Sequence, residues 1–490
     1  MKRLGSFTLG DLSQALALRI AALLVLSSLL AGALILLWPT LGDAWWVVLL
    51  FGAGLALLPV VAVRPTRWGF IVLVLALPFS ARLRFGTLAL HPGGAEAALA
   101  PIDFPLLALL VLYLLEDIRN GRLIFYAGRV ERRLLLFGAV GLLSIVNAVD
   151  PGLVLYEVIR VLRMIALIYC VKRFVRSRQE VRLVLYLLAF DVVTQSAMGL
   201  TQHILGRSLG LFILGEADAL WLDTAMQGAV SRVGGTLGHA NSMAMFLEML
   251  LPLFFSLAVA RHTGLSSRSR WLSVAVFALG LATLILTYSR SSWLAVSVAL
   301  ALVLLYHFRH LRLTRRQAAI ILSAGASLLA GLAIFWDSIY RRLTASTEYS
   351  FDHRAKLNGI ALNMLEAHPW LGTGLNNFIL SMAEYNDIGM ARHRFSPAHN
   401  IYFLTAAETG LLGLLAFLWL LLGIFTEGWP ALKSQDRFLA ACVAGLFAGL
   451  AAALIHSNLG WLWRYDVVHV MFWFAAGYVL AVRRVAVEGT

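Results

Sequence analysis

The sequence predicts an all-α polytopic membrane protein with about 12–14 transmembrane helices. The first observation is composition: 60% of the 490 residues are hydrophobic and only 13% are charged. An ordinary globular domain is about half apolar and about a quarter charged. The second observation is arrangement, because long apolar runs alternate with short loops that are rich in Lys and Arg. Mean hydropathy is +0.82, and several runs exceed the ~18–20 residues that cross a bilayer.

The apolar runs give the predicted helices in order. The run at 68–80 is short, which leaves 12 or 13 spans as an alternative count. The run at Leu16–Trp38 is too long for the core of a signal peptide, so we expect it to be a retained span. The runs lie at 16–38, 44–63, 68–80, 101–115, 134–149, 153–171, 183–205, 238–260, 271–288, 292–307, 317–336, 399–424, 438–455 and 467–482.

The distribution of positive charge predicts the orientation. With Lys2 and Arg3 in the cytoplasm, alternation of the spans places nearly every dense Lys/Arg cluster on the inner side. The long loop at 337–398 and the shorter loop at 206–237 then lie outside. The net charge of +14 follows from these clusters, and the chain has neither a P-loop nor a basic, aromatic-rich sheet pattern. Nucleic acid is therefore not an expected partner.

The topology divides the chain into four predicted parts. Residues 1–230 are expected to form the N-terminal transmembrane helices, and 231–336 the central transmembrane helices, which include an outward arginine site. Residues 337–398 form the large outer loop, and 399–490 the C-terminal transmembrane helices.

The large outer loop is expected to contain an amphipathic helix. Either Ser350 or Asp352 is placed to cap this helix, and Pro369 to end it. An apolar stripe in an outer loop should lie on the membrane surface or on the tops of the spans. The stripe follows i, i+3, i+4, i+7 and i+8 spacing and consists of Leu357, Ile360, Ala361, Met364 and Leu365.

Neither the cysteines nor the histidines predict a metal site. Cys170 and Cys442 both lie in apolar runs and form no disulfide framework and no CxxC pair. Four histidines of the outer region lack a recognised ligand spacing: His353, His368, His393 and His399. We therefore expect neither a metal nor a cofactor.

Arginines outside the inner clusters stand out, because arginine near mid-membrane costs several kcal/mol unless it is paired or hydrated. Arg290 lies in TYSRSSWLA, where two predicted spans meet almost without a loop. Its guanidinium suits a phosphate or pyrophosphate, although contact with lipid headgroups is an equal alternative. Arg354 stands in the loop helix, where the alternative is a solvated charge. Arg232 precedes a Gly-rich turn that leads to His239, and there an anion contact competes with turn chemistry.

His399 precedes a long apolar run in SPAHNIYFL, at the expected boundary between water and lipid. With an ordinary pKa of ~6.5, an imidazole can serve as a general base near neutral pH; the alternative is a histidine hydrogen-bonded at a helix start. Asn400 can orient that ring or cap the helix. Glu157 and Arg160 lie three residues apart on one helix face, so they can pair. The candidate substrate-binding positions are Arg232, His239, Asn400 and Arg160.

Three segments together resemble the O-antigen ligase and polymerase superfamily of bacterial inner-membrane glycosyltransferases, over roughly residues 230–425. They are TYSRSSWLA, HPWLGTGLNNF and SPAHNIYFLTAAETGLLGLLAF. The resemblance implies a GT-C-like helical fold and an undecaprenyl-pyrophosphate-linked glycan donor held by Arg290 and Arg354. It implies that His399 activates an acceptor sugar hydroxyl, which attacks the anomeric carbon with inversion, without metal or nucleotide.

The same resemblance implies partners and a location. The implied acceptor is lipid A core, the growing polysaccharide or a glycoprotein, and the residues do not choose among them. The implied location is the bacterial inner membrane, with both termini cytoplasmic and the active site facing the periplasm.

A different functional class is a polytopic transporter or a lipid-linked glycan flippase without chemistry. Charged residues within the spans would then bind or relay the substrate: Glu157, Arg160, Asp191 and Glu248. Such a protein is expected to contain two halves related by repeat symmetry, and the sequence shows no convincing repeat. The resemblance favours the transferase.

Overall fold

The computed structural model describes thirteen α-helices in residues 64–81, 83–84, 98–121, 128–217, 221–222, 230–308, 347–390, 395–460, 464 and 466–488. The predicted runs at 16–38, 44–63 and 317–336 lie outside these residues. The helices are α1 Pro65–Leu75, α2 Asp103–Arg119, α3 Arg129–Leu143, α4 Pro151–Phe174, α5 Arg178–Leu205, α6 Ala240–Val259, α7 Ser267–Leu286, α8 Arg290–Phe308, α9 Thr347–Ala367, α10 Phe378–Ser381, α11 Ile401–Gly428, α12 Arg437–His456 and α13 Asp466–Glu488.

Strand structure in the described residues is limited to two antiparallel pairs of two-residue strands. Strand β1 (Leu83–Arg84) pairs with β2 (Ala98–Leu99), and β3 (Trp221–Leu222) pairs with β4 (Val230–Ser231). Seven of the described helices are long and apolar enough to cross a membrane: α5, α6, α7, α8, α11, α12 and α13. The predicted fold class, an all-α polytopic membrane protein, is therefore confirmed. The total of 12–14 spans and the four-part division stay predictions.

Helix α6 lies at the centre of the described bundle. Every residue of α6 except Asn241 is buried, and the helix packs against α7, α8 and α12. Its sequence, AMFLEMLLPLFFSLAV from residue 244, is apolar except at Glu248 and Ser256, which is typical of a helix surrounded by other helices. Helices α7 and α8 bury a smaller share of their residues than α6 does.

Two glycines allow α12 to approach α6 closely. Gly445 and Gly449 are four residues apart and form a GxxxG motif, the pattern that lets membrane helices pack backbone to backbone. A Cβ atom at Gly445 would lie 2.4 Å from the Leu253 Cα, and one at Gly449 would lie 2.0 Å from the Met249 carbonyl oxygen. Since both neighbouring atoms belong to the backbone, neither can move aside cheaply.

Gly449→Ala is expected to destabilise the bundle by about 1–3 kcal/mol, because its methyl group forces α6 and α12 apart. The measurement is thermal unfolding of the purified protein in detergent. Gly359→Ala is the matched control: Gly359 also lies in a helix, but an added Cβ there meets no atom within 4 Å. That variant is expected to be neutral or slightly stabilised. Equal melting temperatures for the two variants would contradict close packing at Gly449.

The amphipathic helix predicted in the outer loop is α9, and it packs on α11 rather than lying free. Four of the five predicted stripe residues are almost fully buried: Leu357, Ile360, Ala361 and Met364. The predicted end is also confirmed, because α9 stops at Ala367, just before Pro369. The predicted cap is wrong: Ser350 and Asp352 lie within the helix, which already includes Thr347.

Helix α11 is broken at Gly410, whose φ of 67° and ψ of −170° are not helical. In a continuous helix the Leu411 N–H would donate to the Ala407 carbonyl. In this structure the Leu411 N–H and the Ala407 carbonyl instead form hydrogen bonds with the turn after α9. Leu411 N–H donates to the Pro369 carbonyl (2.8 Å), and the Ala407 carbonyl accepts from Thr373 N–H (2.9 Å). Irregular backbone within a membrane helix requires such partners, so the break fixes the loop to the bundle.

Candidate functional site

The junction between α7 and α8 is three residues long and places Arg290 at the first position of α8. Tyr288, within the junction, is buried and has a φ of 51°, a strained conformation for a bulky residue. Arg232 holds the junction, since its Nε donates to the Thr287 carbonyl (2.7 Å) and its Nη2 donates to Asn241 Oδ1 (2.6 Å). Arg232, in the segment before α6, therefore stabilises the sharp turn that carries Arg290.

His239 lies beside Arg232 and caps α6, because its Nδ1 accepts a hydrogen bond from Asn241 N–H (3.0 Å). Burial, and then the charge of Arg232, lower the pKa of His239 to about 4, so the ring is neutral and its nitrogen can accept. Arg232 and His239 thus contact the backbone around the Arg290 junction. For Arg232, these contacts agree with a structural role in the turn, which the sequence left open as the alternative to an anion contact. The substrate-binding roles of both residues stay predictions.

The loop helix brings Arg354 to Arg290. Burial, and then the positive charge of Arg290, lower the pKa of the Arg354 guanidinium. Two guanidinium groups that interact in this way repel each other, and an anion placed between them relieves the repulsion. Arg290 and Arg354 are 64 positions apart in the chain, so this proximity is a result of the fold.

His399 belongs to the same cluster. Burial, and then the charges of Arg354 and His353, lower its pKa to about 4, whereas a hydrogen bond to the Pro397 carbonyl opposes the shift. The His353 and His399 rings lie edge to face with centroids 6.1 Å apart. Arg354 therefore lies near both Arg290 and His399, and His353 contacts the His399 ring; we name these four residues the outer cluster.

Asn400 fixes the segment that carries His399. Its Oδ1 accepts from the N–H groups of Tyr402 (2.9 Å) and Phe403 (3.2 Å), so it is the N-cap of α11. The next residue, Ile401, donates its N–H to the Ser457 carbonyl at the end of α12 (2.9 Å). Asn400 thus has the capping role that the sequence left open, and a substrate contact stays a prediction.

A buried polar group lies at the first turn of α8, two residues after Arg290. Ser292 Oγ lies 3.0 Å from His456 Nδ1, and the same nitrogen lies 3.0 Å from Glu248 Oε2. Glu248 and His456 are almost fully buried, and they join α6, α12 and the first turn of α8. Sequence reasoning noted Glu248 as a charge within a span and missed His456, because only the fold brings the two together.

Arg160 lies in a second network. As the spacing predicts, it pairs with Glu157, whose carboxylate oxygens are both 2.8 Å from Nη1. Its Nη2 also contacts His469 Nδ1 (3.1 Å) and Asp466 (3.5 Å) of α13. These partners balance the positive charge of Arg160 between α4 and α13. Its substrate-binding role stays a prediction.

Arg464 joins this second network to the break in α11. It donates Nη2 to Glu408 and Nη1 to Asn376 Oδ1 (2.9 Å), and lies 3.7 Å from Glu157. Glu408 also accepts from the Phe378 N–H (3.3 Å). A buried arginine therefore clamps the turn after α9 onto α11, two residues before Gly410.

No group of three or more His, Cys, Asp or Glu side chains in the part of the chain that the structure describes could hold a metal ion. His353 and His399 are neighbours within the outer cluster, and its other two members are arginines. Positive charge at this site is supplied by guanidinium groups.

A family of known proteins matches the part of the chain that carries these residues. Residues 275–418 match the family model described as O-antigen ligase. No curated protein matches the chain. The matched segment includes Arg290, Arg354 and His399 and covers the junction, the loop helix and the broken helix as far as residue 418. The predicted resemblance to the O-antigen ligase superfamily is thereby confirmed over this segment, and the match supports a membrane glycosyltransferase of the ligase or polymerase type.

Proposed function

We propose that the protein transfers a glycan from undecaprenyl pyrophosphate to an acceptor sugar hydroxyl at the outer cluster. The observation that carries the proposal is the convergence of Arg290, Arg354 and His399 from a helix junction, a loop helix and a helix entry. Two guanidinium groups suit a diphosphate, since each can donate two parallel hydrogen bonds. The lowered pKa of His399 keeps its imidazole neutral and able to accept a proton.

The reaction is a single displacement. His399 takes the proton of the acceptor hydroxyl while the hydroxyl oxygen forms a bond to the anomeric carbon. The bond from that carbon to the diphosphate oxygen breaks, and the electron pair leaves with the diphosphate. Arg290 and Arg354 stabilise the developing negative charge, so the proposed reaction is metal-independent. Attack from the face opposite the leaving group inverts the anomeric configuration.

The proposed orientation places the outer cluster on the periplasmic side of the bacterial inner membrane and both termini in the cytoplasm. The positive-inside distribution supports it. The acceptor is a hydroxyl of lipid A core, the growing polysaccharide or a glycoprotein. The contact of helix α9 with α11 supports a further part of the proposal, that α9 covers the lipid chain of the donor.

The test is reconstitution of the purified protein with a lipid-linked oligosaccharide and each candidate acceptor. Mass spectrometry should show one acceptor extended by the donor glycan, with undecaprenyl pyrophosphate released, and a chelator should leave the rate unchanged. Movement of labelled donor between leaflets without a covalent product would contradict the proposal and favour the flippase.

The pH dependence tests the state of His399. Because its pKa is lowered to about 4 in the free protein, kcat/KM should stay level down to about pH 5 and fall about tenfold per unit below pH ~4. Bound diphosphate brings negative charge, which favours the imidazolium and moves the midpoint in kcat to higher pH. A midpoint in kcat/KM near 6.5 would contradict a lowered pKa. Donor binding measured over the same range is the control.

A further inference from the structure

A polar cavity lies at the opposite end of α8 from the outer cluster. His307, in the last turn of α8, follows Arg290 by 17 positions, which is about 26 Å along a helix. The cavity has a volume of about 210 Å³ and lies between the ends of α6 and α8 and the start of α12. It is therefore separate from the site of glycan transfer, and in the proposed orientation it opens at the cytoplasmic side.

The cavity has a basic lining. Two guanidinium and two imidazole side chains contribute to it, and among the described lining residues none is acidic: the four are Arg261, Arg437, His262 and His307. The carboxylate of Asp436, next to Arg437 in sequence, is already engaged. It caps α12 by accepting from the Phe438 and Leu439 N–H groups, and it pairs with Arg178 at 2.7 Å. The lining thus carries net positive charge.

The wall of the cavity is fixed by hydrogen bonds between helices. His307 is buried, and its Nε2 lies 2.9 Å from Ser256 Oγ, which donates to the Ala441 carbonyl of α12 (2.7 Å). Tyr306, also in the lining, donates its hydroxyl to the Leu432 carbonyl (2.7 Å). These bonds join α6, α8, α12 and the segment before α12. Arginine is common in the inner loops of membrane proteins. That general enrichment does not explain why the side chains around this cavity are held by hydrogen bonds between helices.

We propose that this cavity binds a phosphate group, either the headgroup phosphate of an anionic phospholipid or a soluble phosphate. Arginine binds phosphate through two parallel hydrogen bonds, and Arg261 and Arg437 approach the cavity from different helix ends. A volume of 210 Å³ equals about seven waters at ~30 Å³ each, which is room for a phosphate and part of its hydration shell.

The test compares the full-length protein with an Arg261→Gln/Arg437→Gln variant and with Arg268→Gln as the matched control. Arg268 is an exposed arginine at the start of α7 and does not line the cavity. One arm titrates inorganic phosphate into protein in phosphatidylcholine nanodiscs. The other counts phosphatidylglycerol molecules retained in native mass spectrometry. The residues of the outer cluster are unchanged in all three proteins, so phosphate bound there is common to them.

The double variant is expected to lose at least about tenfold in affinity in one of the two arms, whereas Arg268→Gln should match the unmodified protein. Loss in the phosphate arm identifies a soluble ligand, and loss only in the lipid arm identifies a headgroup site. Equal behaviour of the double variant and the control in both arms, with equal melting temperatures, would overturn the proposal. A double variant that melts early is replaced by the single variant Arg437→Gln, read in the same way.

Discussion

His399→Ala is expected to reduce glycan transfer by about 10²–10⁴-fold, the usual contribution of a general base. The ring is held beside Arg354 and His353 at the mouth of α11, and neither neighbour can replace it: a guanidinium does not accept protons, and His353 stands on a different element. Donor binding should change little, because the proposed diphosphate contacts come from the arginines. The measurement is the initial rate of transfer in the reconstituted assay.

His399→Gln and His368→Gln sharpen this test. Glutamine at 399 keeps a hydrogen-bonding side chain but no basic nitrogen, so we expect the same loss as with alanine. His368 lies at the end of the same outer segment, with Nε2 2.9 Å from the Tyr385 hydroxyl, and serves as a histidine outside the cluster. Near-normal transfer by His399→Gln, in protein that melts like the unmodified form, would refute the role of His399 as the base.

Local patterns in the sequence predicted most of the helices. The runs at 238–260 and 438–455 correspond to α6 and α12 within two residues at each end, because a membrane helix is specified by its own apolar length. The stripe of α9 and the pairing of Glu157 with Arg160 also follow from spacing along a single helix.

Features that depend on distant segments were not predictable in this way. The run around Gly410 appears as one continuous apolar helix, and only the turn at Pro369–Thr373 shows why it breaks there. Arg464 lies between two predicted apolar runs, yet it is buried against Glu408. Charge spacing within one helix carries no information about a partner more than 50 positions away.

The candidate site was partly predictable for the same reason. Arg290 and His399 stood out because each is an unusual residue at the boundary of an apolar run, and Arg354 because it is a positive charge outside the inner clusters. The family resemblance supplied their expected association. His353 and the buried pair of Glu248 and His456 carried no such signal. Their proximity arises from the packing of α9, α6 and α12.

Arg290→Lys is expected to lower kcat/KM by about 10–100-fold, although the positive charge is kept. An ammonium presents a single point charge, whereas the guanidinium offers two parallel donors, and a hydrogen bond to a charged group contributes about 1.5–3 kcal/mol. The short, strained junction at Tyr288 also limits how far a lysine could shift to compensate. The measurement is steady-state transfer with the donor varied.

The matched control for Arg290→Lys is Arg207→Lys, an exposed arginine just after α5, which should transfer at the normal rate. Arg354→Lys should lose a similar factor. Because both guanidinium groups are proposed to hold one diphosphate, the double variant should lose less than the product of the single losses. Fully multiplicative losses would indicate that Arg290 and Arg354 act on different groups. Normal kcat/KM in Arg290→Lys would refute bidentate binding, since charge alone would then be sufficient.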